Sequence, residues 1–409
     1  MVRNGLNFFT VCNFSRSGGG SLRIIGIMNS VVKNLGLDLT LYSNEGFNSD
    51  GKILNQLLGL EFSSFEKRLF QLSLSVLPVF LVSLLFRKKY LALKLISEEY
   101  NLKGKELIFF EYLDLSIGYF MKKNKFISGY VCDIHGLVPN EFKQKKKNRT
   151  YNLMRYFSAL QLDKKVFANS DGFIFASESM RDYFNLRYPG VENKKYSMLP
   201  YLISENAIEN RIDSALLSRL RLEYGICSDD KVVFFAGSFK YLGGVVDLVS
   251  AFVGVKSKLD SVKLLLIGDG EEFNDVKAVI NRNSLQDSIV HIKSIPYGLL
   301  RTYQELATVI VCPDKENLYS NMILHLKYYD SLLSGKIVIN GSFEAVKEVN
   351  VHEILSIDFE PSNVLDLTDK ILYCLRNREF LQNKYSINVD YVKENMTYEV
   401  RYESLLSLV

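Results

Sequence analysis

Short apolar runs and longer amphipathic runs alternate along the whole chain, and the two rhythms predict strands and helices in turn. In the first half, NFFTVC (7–12), LDLTLYS (37–43), ELIFFEYL (106–113), ISGYVCDI (127–134), GFIFAS (172–177) and KKYSMLP (194–200) read as strands. SLRIIGIMNSVVKNLG (21–36) reads as a helix after the first of them. The second half restarts the pattern with KVVFFAG (231–237), VKLLLIGDG (262–270), SIVHIKSI (288–295), TVIVCPD (308–314) and KIVING (336–341). Helical runs of about a dozen residues separate these strands. The alternation predicts an α/β protein with two parallel sheets, each covered by helices on both faces.

Near the end of this pattern, LHLKYYDSLLSGKIVIN (324–340) reads as a helix that stops at a glycine and enters a strand. Met322, Leu326, Tyr329 and Leu333 form one buried stripe, and Ile323, Lys327, Asp330 and Ser334 a second. An ordinary surface ion pair between Lys327 and Asp330 is one reading of that second stripe. A functional carboxylate is the other.

The polar stretch SENAIENRID (204–213) marks a boundary, giving a first domain over 1–203 and a second over 204–389. A final helix over 390–409 lies beyond the last strand unit and is expected to pack back on the first domain. Two doubly wound, Rossmann-like domains of this kind would face a central cleft at the carboxyl ends of their strands, where such folds bind ligands.

A hydrophobic content of 47% and a charged content of 23% describe an ordinary globular chain. Net charge is only +4, so no global field argues for nucleic acid. The cations are clumped in the first half: RKK (87–89), KKNK (122–125) and KQKKKNR (143–149). That asymmetry suits either a face on an anionic surface or a set of solvated loops. Cys12, Cys132, Cys227, Cys312 and Cys374 form no C-x-x-C pair, which indicates a reducing compartment without a disulfide framework or zinc site. The N-terminus is too short and polar for a signal peptide. LFQLSLSVLPVFLVSLLF (69–86) has the minimum length of a membrane span but contains Gln71 and Pro78. It is expected to form a helical hairpin on the core or in the bilayer interface.

Four loops at strand ends could carry chemistry. SRSGGGSLR (15–23) offers Gly19 and Gly20 for close backbone approach, with a helix N-terminus behind them. Its spacing is not G-x-G-x-x-G, so nicotinamide or flavin has little support. CDIHG (132–136) puts His135 just past a strand, where it can act as acid, base or hydrogen-bond donor, or simply close the strand end. AGSFKYLGG (236–244) frames one cation, Lys240, between Gly237 and the 243–244 glycine pair, as a diphosphate site would require. In PDKENLYSNMILHLKYYD (313–330), Tyr319, Ser320 and Asn321 are expected to cap a helix whose N-terminus holds phosphate. Lys327 and Asp330 would follow on one side, the carboxylate accepting both hydroxyls of a ribose.

Taken together these blocks resemble the retaining GT-B glycosyltransferases of the large bacterial group-1 type (family 4). FFAGSFKYLGGVVDLVSAF, LLLIGDGEE and LKYYDSLLSGKIVIN are similar to that family's donor-domain blocks. SGGGSLR, DIHG and FIFASESM are similar to its acceptor-domain blocks. The resemblance implies a nucleotide-sugar donor on the second domain and a lipid-linked or glycan acceptor on the first. It further implies hexosyl transfer with retention of configuration, without metal or cofactor, in surface polysaccharide biosynthesis. Such an enzyme would be cytoplasmic and peripheral to the inner face of the membrane. By position Asp330 matches the family's ribose-binding glutamate and His135 its active-site histidine. Gly19 and Gly20 match the loop near the diphosphate, with Ser320 and Asn321 at the donor helix. Departures are specific: Ser238 and Gly243 stand where the family has Arg and Lys, and Met322 stands at its first paired glutamate. These departures keep a degenerate partner of a glycan-assembly complex as an alternative. A sugar-nucleotide epimerase is a further one.

Overall fold

The computed structural model describes residues 6–11, 19–30, 39–47, 53–110, 112–144, 148–203, 212–227, 229–401 and 404. Cys12, Gly18 and its approach, the end of the first expected helix and most of the 204–213 boundary stretch lie outside the described residues. The chain divides into one unit of Met1–Tyr201 with Tyr398–Val409, and a second of Leu202–Thr397.

The first unit holds a seven-stranded sheet, ordered β3-β2-β1-β4-β5-β6-β7. Its strands are β1 (Leu6–Thr10), β2 (Leu39–Ser43), β3 (Ile53–Leu57), β4 (Glu106–Phe109), β5 (Gly129–Ile134), β6 (Gly172–Phe175) and β7 (Lys195–Met198). Every pairing is parallel. β5 is buried along its entire length, as a strand covered on both faces must be.

The second unit holds a six-stranded parallel sheet ordered β10-β9-β8-β11-β12-β13. It comprises β8 (Lys231–Ala236), β9 (Val262–Ile267), β10 (Ile289–Ile292), β11 (Val309–Cys312), β12 (Ile337–Gly341) and β13 (Ile357–Phe359). The order reverses between β8 and β11, so loops following these two strands diverge at a topological switch point. Val233, Phe235, Leu264, Leu266, Val311 and Ile339 belong to the main core on one side of this sheet, and Phe234, Leu265 and Ile310 to the core on the other. This is why the central strands read as unbroken apolar runs.

Two edge strands were not legible in the apolar pattern. β3 carries Asn55 and Gln56 and is not buried at any position, while β13 is only three residues long. Backbone pairing to β2 and β12 defines them. The apolar stretch 69–86 is broken at Pro78 into helices Ser64–Val76 and Val79–Leu85, followed by Arg87–Glu99. A reciprocal capping box between Ser63 and Glu66 starts the first of these. No described helix is long and apolar enough to cross a membrane.

The return to the first unit begins at Tyr398, eight residues later than the sequence pattern places it. Helix Asn388–Asn395 stays with the second unit, where Asn388 Nδ2 donates to Leu355 O at 2.8 Å. Tyr398 packs its ring over Gly26, where an added Cβ would lie 2.2 Å from ring carbons. Ser30 Oγ donates to Tyr398 O at 2.6 Å.

Candidate functional site

At the carboxyl edge of the second sheet, three loops are joined by backbone hydrogen bonds. Gly237 N donates to Ile267 O at 2.9 Å and Phe239 N to Asp269 O at 3.0 Å. Glu272 N returns to Phe239 O at 3.0 Å, and Lys315 N reaches Leu242 O at 3.0 Å. Two glycines permit this closeness. Gly268 has φ +150°, and a Cβ there would stand 1.9 Å from Gly237 O. Gly244 has φ +68°, and its Cβ would stand 1.8 Å from Pro313 O. Gly244 also begins helix Val245–Lys256, so unpaired backbone N–H groups follow the loop.

Lys240 sits in this loop with its side chain exposed, and it makes no ion pair among the described residues. Lys315, by contrast, is committed: its Nζ lies 3.0 Å from Asp247 Oδ1 and 4.5 Å from the centre of the Tyr241 ring.

The expected single helix carrying Lys327 and Asp330 is two helices, Leu318–Met322 and Leu326–Leu333, with Ile323 and His325 in extended conformation between them. Met322, Ile323 and Leu324 are all buried at the break, so apolar packing outweighs the helical periodicity there. The N-cap is Asn317, not the Tyr319–Asn321 stretch: Asn317 Oδ1 accepts from Ser320 N at 2.9 Å. Ser320 lies in the first turn, with its hydroxyl 2.8 Å from Asn317 Nδ2 and 3.1 Å from His325 Nε2. Asn321 Nδ2 donates to Glu316 Oε1 at 3.0 Å. His325 has its pKa lowered by burial.

Lys327 and Asp330 do not pair with each other. Lys327 Nζ lies 2.7 Å from Asp314 Oδ1, a nearly buried carboxylate at the end of β11. Asp330 Oδ1 instead accepts the Tyr297 hydroxyl at 2.6 Å, and its backbone carbonyl accepts from Gln304 Nε2 at 3.2 Å. Burial pushes the Asp330 carboxyl up to about 6, against the Tyr297 hydrogen bond that stabilises its charge. Together with Ala236, Gln304, Cys312, Lys327 and Ser331, Asp330 lines a small open hollow. Gly335, with φ +65°, ends the helix where the sequence places its stop.

The first sheet supplies a second cluster. Arg23, in helix Gly19–Ser30, and Asp133, in β5, form a bidentate pair with no exposed side-chain surface. Nε lies 2.8 Å from Oδ2 and Nη2 2.7 Å from Oδ1, while Nη1 donates to Pro200 O at 3.0 Å. Burial opposes both charges, but each partner outweighs it: Asp133 is held down at about 2, and Arg23 is raised above its ordinary value. His135 Nδ1 stands 3.0 Å from Asp133 Oδ2, and the ring meets Tyr201 edge-on at 6.0 Å. The carboxylate can only accept, so Nδ1 carries the hydrogen and Nε2 is left without a partner inside this pair. Gly19 and Gly20 are the first residues of the Arg23 helix, not part of a loop before it. Their backbone N–H groups belong to its unpaired first turn.

Sequence reasoning missed Arg23, Asp133, Asp314, Asn317 and Tyr297. The first two had a signal. Asp133 interrupts an apolar strand and Arg23 sits beside Ile24 and Ile27, so two charges in apolar settings required each other. Tyr297 had none, since it lies 33 residues before Asp330, at the start of the short 3-10 turn Tyr297–Leu299.

Residues 219–388, most of the second unit, match the family model described as Glycosyl transferases group 1. Over 168 residues the chain is 23% identical to an N-acetyl-alpha-D-glucosaminyl L-malate synthase from Bacillus anthracis, covering 41% of this chain and 42% of that one. Over 170 residues it is 28% identical to an alpha-monoglucosyldiacylglycerol synthase from Streptococcus pneumoniae, covering 41% and 37%. The match thus spans about two fifths of the length of these curated relatives.

Likeness in fold extends further. A sucrose-phosphate synthase structure from Thermosynechococcus elongatus superposes with a TM-score of 0.73 at 15% identity, covering 99% of this chain and 98% of that one. The Anabaena Alr3699/HepE structure in complex with UDP and glucose gives 0.70 at 13% identity, covering 98% of each. Two parallel-sheet α/β units with these neighbours make the fold that of the GT-B glycosyltransferases.

Proposed function

We propose that the chain transfers a hexose from a nucleoside diphosphate sugar to a lipid-linked or polysaccharide acceptor, with retention of configuration and without metal or cofactor. Its place would be the assembly of a bacterial surface glycan such as capsule, O-antigen or exopolysaccharide, at the inner face of the cytoplasmic membrane. The observation that carries this reading is the joined loops at the carboxyl edge of the second sheet. They lie in the segment that matches the family, and they offer an uncommitted cation, Lys240, with the carboxylate of Asp330 on the same unit. The likeness to a protein solved with UDP and glucose supports a nucleoside diphosphate sugar as the donor.

In this reading Asp330 accepts the ribose hydroxyls, and Lys240 with the N–H groups after Gly244 meets the diphosphate. Lys327, neutralised by Asp314, shapes the site without a free charge. His135, oriented by Asp133, would use Nε2 to hold a hydroxyl of the transferred sugar. The acceptor oxygen attacks from the face that the diphosphate leaves.

Ser238, Gly243 and Met322, where the family has Arg, Lys and Glu, favour a second reading as a non-catalytic partner in glycan assembly. Thermal shift with UDP, GDP, ADP and dTDP separates the two. One nucleotide should raise the melting temperature, and Asp330→Ala should lose that rise. No response to any of the four would overturn the transferase.

A further inference from the structure

Helix Ser64–Val76 is amphipathic in an unusual sense, because apolar residues occupy its solvent side as well. Phe70 and Leu74 are buried, while Phe65, Leu69, Leu72 and Val76 recur at spacings of four, three and four and are exposed by 41–72%. The same holds for the next two helices. Phe80, Leu84 and Leu85 of Val79–Leu85 are 64–69% exposed, and Leu91 and Leu95 of Arg87–Glu99 are 45% and 62% exposed. Single exposed leucines need no explanation, but aligned stripes on three consecutive helices do. Helix Arg149–Asn169 lies against the first of them, with Ser158 Oγ 2.8 Å from Ser75 Oγ, and adds exposed Met154 and Phe157.

Cations outnumber carboxylates on these three helices, where Lys67, Arg68, Arg87, Lys88, Lys89 and Lys94 face Glu66, Glu98 and Glu99. Lys67, Arg68, Arg87 and Lys88 are exposed and make no ion pair among the described residues, whereas Lys89 and Lys94 have Glu66 and Glu98 nearby. Arg68 also lies near enough to Arg155 to disfavour its charge, adding to the larger effect of burial there. Apolar side chains framed by unneutralised cations complement a leaflet of anionic headgroups over acyl chains. Pro78 divides the stretch into helices too short to span.

We infer that this three-helix face docks on an anionic phospholipid bilayer, with Phe80, Leu84 and Leu85 entering the boundary between headgroups and acyl chains and Lys67, Arg68, Arg87 and Lys88 on the lipid phosphates. The use of such docking rests on the proposed lipid-linked acceptor. The docking itself does not.

The test is co-sedimentation of the full chain with vesicles of phosphatidylcholine, alone or with one third phosphatidylglycerol. Binding to the anionic vesicles should exceed that to neutral ones by about tenfold or more and weaken in high salt. Leu84→Asp with Leu85→Asp should abolish it, and Arg87→Glu with Lys88→Glu should remove the preference for anionic lipid. Both variants change exposed residues, so an unchanged melting temperature and a retained nucleotide-induced shift confirm their fold. No sedimentation of the wild type, or equal binding by the leucine variant, would overturn the inference. So would a soluble dimer that dissociates in the leucine variant, which would assign the face to a second copy. Vesicle binding without any nucleotide response would sink the transferase reading alone.

Discussion

Arg23 and Asp133 have no exposed side-chain surface, and between them they satisfy a bidentate bond, the Pro200 carbonyl and one nitrogen of His135. Replacing one partner leaves the other charge buried. Asp133→Asn should therefore cost about 3–5 kcal/mol in denaturant unfolding, and a loss below about 1 kcal/mol would refute the pair's isolation from water. The sign with pH follows from the depressed carboxyl. Its folded value near 2 lies below the ordinary carboxylate range, so the stabilisation is complete above that range and is lost as pH falls toward 2. Wild type should lose stability across that acid window and Asp133→Asn should lose less.

Asp330 behaves oppositely. Its value near 6 is raised, so in the unliganded protein it takes up a proton as pH falls through 6. A carboxylate that accepts ribose hydroxyls must be charged, so nucleotide affinity should fall by about tenfold between pH 7 and pH 5. Tyr297→Phe removes the hydrogen bond that holds the value down, and the midpoint should move to higher pH. A flat titration in the wild type would show that Asp330 does not contact the ligand.

At the scale of elements, the loops after β8, β9 and β11 form one joined edge, and glycine makes the junction possible. Gly244→Ala forces a Cβ to 1.8 Å from the Pro313 carbonyl at positive φ, so the loop must move. Nucleotide binding should drop by at least about tenfold, with a stability loss of about 1–3 kcal/mol. Gly298→Ala is the control, since nothing lies within 4 Å of its Cβ position, and it should change neither quantity. The strands bearing these loops were legible because they are buried on both faces. The break at residues 323–325 was not. Lys327, Asp330 and Ser334 fit a helical period with Ile323, yet burial of Met322, Ile323 and Leu324 interrupts the helix, and Asn317 rather than residues 319–321 begins it.

At the scale of the molecule, the chain enters the second unit at Leu202 and leaves it at Thr397, and Ile203 pairs with Thr397 in an isolated parallel bridge. Tyr398 then closes the first unit against Gly26 and Ser30. A chain ending at Thr397 leaves an uncovered patch on helix Gly19–Ser30. Loss of a buried aromatic anchor costs about 3–5 kcal/mol, so exchange of backbone amides in that helix should accelerate. Nucleotide binding by the second unit should persist. Unchanged exchange in that helix would mean that Tyr398 is not its anchor.

The sequence by itself determined the two parallel sheets, the glycines at the strand ends and the location of Asp330, because burial on both faces and tight turns restrict residue type locally. Asp133 and Arg23 stand among apolar neighbours in the sequence, but nothing there says that they meet. Only the tertiary structure decided which carboxylate takes Lys327, which hydroxyl holds Asp330 and which edge strands complete the sheets. Those choices depend on groups 13 to 110 residues apart in the chain, and at such separations neither periodicity nor propensity carries any record of a contact.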